Sequence, residues 1–255
     1  RQCARPHALL DSPPRCHLTT LVPGSSATET FTCADGSTVD VTSCAASASS
    51  LSALRCLVEE YTAAQTATTK ELTVYLDTSV TLDATIAVPT GAHVALIGTT
   101  SATDDSTTPE GWPGAALPPT TSVSGGASVR LFDVVGPKLD VGDGTYSHFG
   151  DGNTTLLLRN LILEDGLGSV SGGIVYALGA NLYVDGCIVR GGEAAPDGMF
   201  SESRGGAVFF AFYDKKTGDH AATDSTHALD IQGSLFYDNV AGNSGSLFGA
   251  SQGGA

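Results

Sequence analysis

Apolar and polar positions alternate in short runs along this 255-residue chain, and three of those runs superpose without a gap. They are residues 156–166 (LLLRNLILEDG), 182–192 (LYVDGCIVRGG) and 229–239 (LDIQGSLFYDN), offset by 26 and 47 residues. The first, third, sixth and eighth places are mostly apolar, the fifth is Asn or Gly, and the eleventh is Gly or Asn. Each run reads as two short strands hinged at a turn residue. Alternation restarts after the hinge, so those four places point inward. A further strand signal precedes two of the runs, Gly172-Gly173-Ile174-Val175 and Gly205-Gly206-Ala207-Val208, with a weaker echo at Gly245-Ser246-Leu247-Phe248. The offsets fit the roughly 20 to 50 residue period of stacked repeats. Such units cannot bury their apolar side alone, and winding them into stacked parallel strands solves that problem. The pattern predicts an all-β fold, a parallel β-helix.

Upstream of the repeats, Leu54, Leu57, Val58 and Tyr61 recur at helical spacing behind Ser49 and Ser50. This predicts a short amphipathic helix over 49–64, placed to cap the open end of the stack and protect its first edge. Residues 72–76, 80–86 and 93–97 read as strands bounded by turn residues. Residues 99–124 are rich in Pro, Ser and Thr and predict a long surface loop. Polar insertions at 193–203 and 214–227 account for the longer second offset. The chain thus divides into a Cys-rich extended region (1–48) and a β-helix (49–255) that ends in an incomplete rung. That rung predicts further polypeptide or a neighbouring subunit on this end, with Phe248 at the contact.

Charged residues make up only 15% of the chain and the formal net charge is −15, which disfavours nucleic acid and anionic membranes as partners. No run approaches the roughly 20 apolar residues of a spanning helix, so no transmembrane segment is expected. Five of the six cysteines, Cys3, Cys16, Cys33, Cys44 and Cys56, lie early and too irregularly for a metal knuckle, and are disulfide candidates. Cys187 occupies the inward sixth place of a repeat and reads as a buried thiol, which leaves the other five an odd set. Disulfides, and the sequon that makes Asn153 a glycosylation candidate, point to a secreted or cell-surface protein. The start at Arg1, without an initiator Met, predicts a segment removed upstream.

The Gly-Gly-apolar-apolar motifs at 172–175 and 205–208, together with Phe236-Tyr237-Asp238-Asn239, resemble the GGAI and FxxN repeats of polymorphic outer-membrane proteins. Those repeats belong to the pectin-lyase-like class of right-handed β-helices, and the likeness spans roughly residues 50 to 250. The other two repeats carry LEDG (163–166) and VRGG (189–192) in place of FxxN, and nothing resembles an autotransporter barrel. The resemblance implies a right-handed coil and a surface scaffold, commonly adhesive.

Many β-helices cut acidic polysaccharides, but the motifs of those enzymes are missing. Polygalacturonases would need clustered NTD, DD, HG and RIK, of which only Asp104-Asp105 is present; pectate lyases would need WxDH and RxPxxR. The one Trp, Trp112, stands between Gly111 and Pro113 in the loop. The six histidines form no triad pattern. Gly166-Leu167-Gly168 opens a dinucleotide fingerprint that Ser171 breaks. Glu164, Asp165, Asp185, Glu193, Asp197 and Glu202 leave room for a glycosidase carboxylate pair. However, superposition stacks Glu164 on Arg190 and Arg159 on Asp185, as structural ladders would. Asp140, Asp143 and Asp151 supply oxygens of the kind Ca²⁺ takes, at a spacing no EF-hand uses and in Asp-Gly pairs that ordinarily form turns.

No catalytic, cofactor-binding or metal-binding residue is assigned, with Ca²⁺ the alternative to no cofactor. The second and seventh places, Leu157 and Tyr183 with Ile162, Ile188 and Leu235, form an outward apolar column that predicts a docking surface unless an insertion covers it. The expected function is an extracellular structural or adhesive module of a larger surface or filamentous assembly. Its expected partners are other subunits or further segments of the parent chain, and glycans. The alternative is a secreted carbohydrate-binding or polysaccharide-cleaving β-helix with an unrecognised site.

Overall fold

The computed structural model describes residues 28–66, 70–101, 109–113, 117–139, 148–149, 154–169, 171–195, 203–211, 228–242 and 251–252. The fold is all-β with one short helical segment, and its strands are built by successive passes of the chain over the same few sheets. The first sheet stacks Ala45–Ala48, Lys70–Leu76, Ala92–Ile97, Thr155–Arg159, Asn181–Asp185 and Leu229–Gln232, every neighbouring pair parallel. The second stacks Val80–Thr81, Thr121–Ser124, Leu161–Glu164, Ile188–Arg190 and Leu235–Tyr237 in the same way. A third joins Ile86–Val88, Phe132–Val135, Val175–Leu178 and Val208–Ala211, again parallel. Each of these sheets therefore takes one strand from each pass it shares.

The register is the one the three superposed runs predict, place for place: Leu156 pairs with Leu182 and that with Leu229, while Ile162 pairs with Ile188 and that with Leu235. Hinge places adopt left-handed backbone, with φ of 53° at Asn160, 60° at Gly186 and 53° at Gly233. Asn and Gly tolerate that region far better than other residues do, which is why they recur there. The turn lets alternation restart, so Leu156, Leu158, Leu161 and Leu163 all point inward and are buried, as do Leu182, Val184, Cys187 and Val189. Side-chain oxygens close the corners between passes. Thr154 Oγ1 accepts from the Gly91 amide at 2.9 Å, Asn181 Oδ1 from the Ala228 amide at 2.8 Å, and Asn239 Oδ1 from the Gly192 amide at 2.9 Å. These bonds satisfy backbone groups at bends where the sheet ladder cannot.

The predicted helix is present and covers one end of the stack. Ser50 is its N-cap, accepting from the Ala53 amide at 3.2 Å. The segment runs as α-helix over Leu51–Arg55, widens to a π-helix over Cys56–Tyr61 and closes with Thr62–Ala64. Leu54, Leu57, Val58 and Tyr61 are buried against the core. Its polar side meets the first strand edge: Glu59 Oε1 accepts from the Ala87 amide at 2.9 Å, and Arg55 donates to the carbonyls of Ala84 and Thr85 and to Asp83.

Three expectations need correction. Residues 28–48 are not merely extended: Thr28–Thr32 and Thr38–Thr42 form an antiparallel hairpin, and Ala45–Ala48 joins the first sheet in parallel. Five of the residues on its outward face are threonines, which masked the inward Val39 and Val41. The loop expected over 99–124 ends sooner, because Thr121–Ser124 is an internal strand of the second sheet with Val123 buried and Ser122 and Ser124 outward. Phe132–Val135 is a third-sheet strand that the sequence reading left out.

Candidate assembly surface

Charge on the outer faces is spent on ladders. Arg159 Nε bonds Asp185 Oδ2 at 2.9 Å, and Arg190 Nε bonds Glu164 Oε2 at 2.9 Å while its Nη1 donates to Tyr237 Oη at 3.0 Å. The Glu164 carboxylate, and after it Tyr237, raise the Arg190 pKa further. These are the two pairings that superposition of the repeats predicts, and they engage Glu164 and Asp185; Asp165 and Glu193 are exposed, and Asp197 and Glu202 lie outside the described residues. On the third sheet Tyr176 stacks on Phe209 with centroids 5.2 Å apart, and the Arg130 guanidinium lies 4.9 Å from the centre of the Tyr176 ring. Among the described residues no group of three or more His, Cys, Asp or Glu could hold a metal ion. Asp140, Asp143 and Asp151 lie outside the described residues, as do Asn153, Phe248, Cys3 and Cys16.

The cysteines divide by environment. Cys33 and Cys56 form a disulfide that ties the hairpin turn to the helix, and Cys44 is also disulfide-bonded. Cys187 is free and fully buried, its Sγ 3.4 Å from the Leu158 carbonyl, and burial pushes its thiol pKa up to about 12. So high a pKa removes the thiolate at ordinary pH, which leaves an inert packing group.

Of the interface candidates, Leu157, Ile162, Tyr183 and Leu235 are half-buried. Burial, and then Asp230, push the Tyr183 phenol pKa up. Ile188 needs correction: it points outward, yet only 3% of it is exposed. The Pro-rich excursion comes close to this ridge, since a β-carbon at Gly111 would stand 3.8 Å from Leu235 Cδ1. Within the ridge Ile188 is buried, while Ile162 and Leu235 are half-buried.

Of the four exposed large apolar side chains among the described residues, Tyr75 lies on Lys70–Leu76 and the other three, Leu229, Ile231 and Val240, lie at the far end of the stack. Two inward columns run Leu72, Val94, Leu156, Leu182, Leu229 and Val74, Leu96, Leu158, Val184, Ile231. Their first four members are at most 1% exposed, whereas Leu229 is 45% and Ile231 43% exposed. Val240 nearby is 53% exposed. Leu229–Gln232 and Leu235–Tyr237 are each the last strand of their sheet, so among the described residues nothing pairs with their outer edges. The open end expected at Phe248 lies outside the described residues. Leu229 and Ile231 carry the same inward pattern as their buried counterparts, so only their position in the stack distinguishes them, whereas Val240 pairs with the exposed Glu193. Among the described residues no helix is long and apolar enough to cross a membrane. Comparison with protein-family models, curated proteins and solved structures finds no match to the chain.

Proposed function

We propose that the chain is a right-handed parallel β-helix acting as an extracellular structural or adhesive module, joined to its assembly through the open end at Leu229, Ile231 and Val240. The observation that carries this reading is the change along the two inward columns, buried over four strands and nearly half exposed at the fifth. Strict pass-by-pass parallel pairing supports the coil. An unpaired strand edge backed by apolar side chains is a template for another strand, and stacked repeats need cover on their terminal units. The disulfide Cys33–Cys56 supports an oxidising compartment. Self-association of two copies through the same end, the outer edges of Leu229–Gln232 and Leu235–Tyr237, closes as a two-fold pair, not as the filament that head-to-tail stacking would make.

Sedimentation equilibrium over a wide concentration range tests this. The wild-type chain should shift reversibly from monomer to dimer, and the double variant Ile231→Lys, Val240→Lys should remain monomeric with an unchanged far-ultraviolet spectrum. A wild-type chain that stays monomeric throughout would remove the basis for assembly through this end.

A further inference from the structure

The excursion between Ile97 and Thr121 leaves the stack on a tied stem. Ser101 donates its amide to the Pro118 carbonyl at 3.0 Å and Thr120 to the Thr99 carbonyl at 2.9 Å, while Thr99 Oγ1 lies 2.9 Å from Thr120 Oγ1 and 2.6 Å from Thr121 Oγ1. Thr100 and Pro119 form an antiparallel bridge within it. Beyond the stem, residues 109–112 make a tight turn in which the Trp112 amide donates to the Pro109 carbonyl at 3.0 Å, with Gly111 at φ 84°. Gly at the third position of such a turn supplies the positive φ at no steric cost. The stem springs from beside Thr121–Ser124, and the turn reaches Leu235, three strands further along the second sheet. At about 4.8 Å per strand this spans roughly 14 Å of stack.

We propose that the turn at 109–112 is a lid over the outward ridge of Ile162, Ile188 and Leu235, which closes this lateral face to other chains. Two independent observations meet here: Ile188 points outward but is 3% exposed, and a β-carbon at Gly111 would stand in van der Waals contact with Leu235. Three aliphatic side chains in register on adjacent strands would otherwise make a continuous apolar stripe, the kind of patch that drives association. A lid in the same chain covers it at no cost in translational freedom, unlike a second molecule. The inference holds whether or not the open end of the stack binds anything.

The test replaces residues 109–113 (PEGWP) with GSGSG, which preserves chain length and the Thr99–Thr120 stem. This variant should keep its far-ultraviolet spectrum, bind an apolar fluorescent dye severalfold more strongly, and lose hydrogen-exchange protection at Ile188 and Leu235. Adding Ile188→Asp to it should abolish the extra dye binding. In the otherwise native chain, Leu235→Asp should red-shift the emission of Trp112, the only tryptophan, by dislodging the turn. Unchanged dye binding and unchanged exchange at Ile188 in the GSGSG variant would overturn the lid, as would a Trp112 emission indifferent to Leu235→Asp.

Discussion

Leu158 and Ile231 hold the same place in the repeat, in the same column of the same sheet, two strands apart. One is fully buried and the other 43% exposed. The first strands of that column, Lys70–Leu76, are sheltered by sequence that does not repeat: a helix, a disulfide and a hairpin whose Phe31 meets Tyr61 edge to face at 5.5 Å. The last strand has the repeat, and among the described residues no strand pairs with its outer edge. Repetition specifies how a pass sits on its neighbour, but it cannot specify an end. Ends must come from local, non-periodic sequence or from another polypeptide.

The sharpest way to break this contrast is the same truncation at both positions. Leu158→Ala should cost about 2–5 kcal/mol, the range for deleting a fully buried aliphatic side chain and leaving a cavity. Ile231→Ala removes a side chain already partly in water and should cost about 1 kcal/mol. Urea denaturation followed by circular dichroism measures both, and equal costs would mean that Ile231 is covered in solution.

Next in size is the staple at the covered end. Cys33 and Cys56 are 23 residues apart, and the double variant Cys33→Ala, Cys56→Ala should lose about 3 kcal/mol through the freed unfolded-state loop. Hydrogen exchange should quicken in Lys70–Leu76 before Leu229–Gln232. Uniform loss of protection would show that the two ends unfold as one unit and are less independent than their construction suggests.

The repeats were legible because their chemistry is local and periodic. The hinge at Asn160, Gly186 and Gly233, the inward columns and both charge ladders follow from writing three runs under one another. Thr121–Ser124 was hidden because two Pro and several Thr precede it, and its single inward Val123 gives almost no periodic signal. The lid at Gly111 depends on a contact with Leu235, 124 positions away in the chain, that no spacing announces. Exposure of Leu229 and Ile231 was equally invisible residue by residue, since nothing in an inward pattern says whether a neighbour will stack on it.

The smallest effect concerns pH and should be confined to the covered end. Asp35 in the hairpin turn accepts from Ser37 Oγ at 2.6 Å, from Ser52 Oγ on the helix, and from the Ser37 amide at 2.8 Å. These bonds, the Ser37 hydroxyl first, hold its carboxyl down at about 2 from an ordinary 3.8. A carboxyl depressed in the folded state contributes stability above its unfolded pKa and loses it as pH falls through the folded value. The loss therefore belongs between about pH 4 and pH 2, and solvent screening keeps it small because the group is exposed. Ser52→Ala should move the Asp35 titration, followed by carboxyl NMR shifts, back toward the ordinary value and loosen hairpin from helix. Far from this junction, the amides of Leu229–Gln232 should not respond to Asp35 at all. If they shifted with it, the two ends would be coupled through the stack, and the open end would be tuned by the closed one.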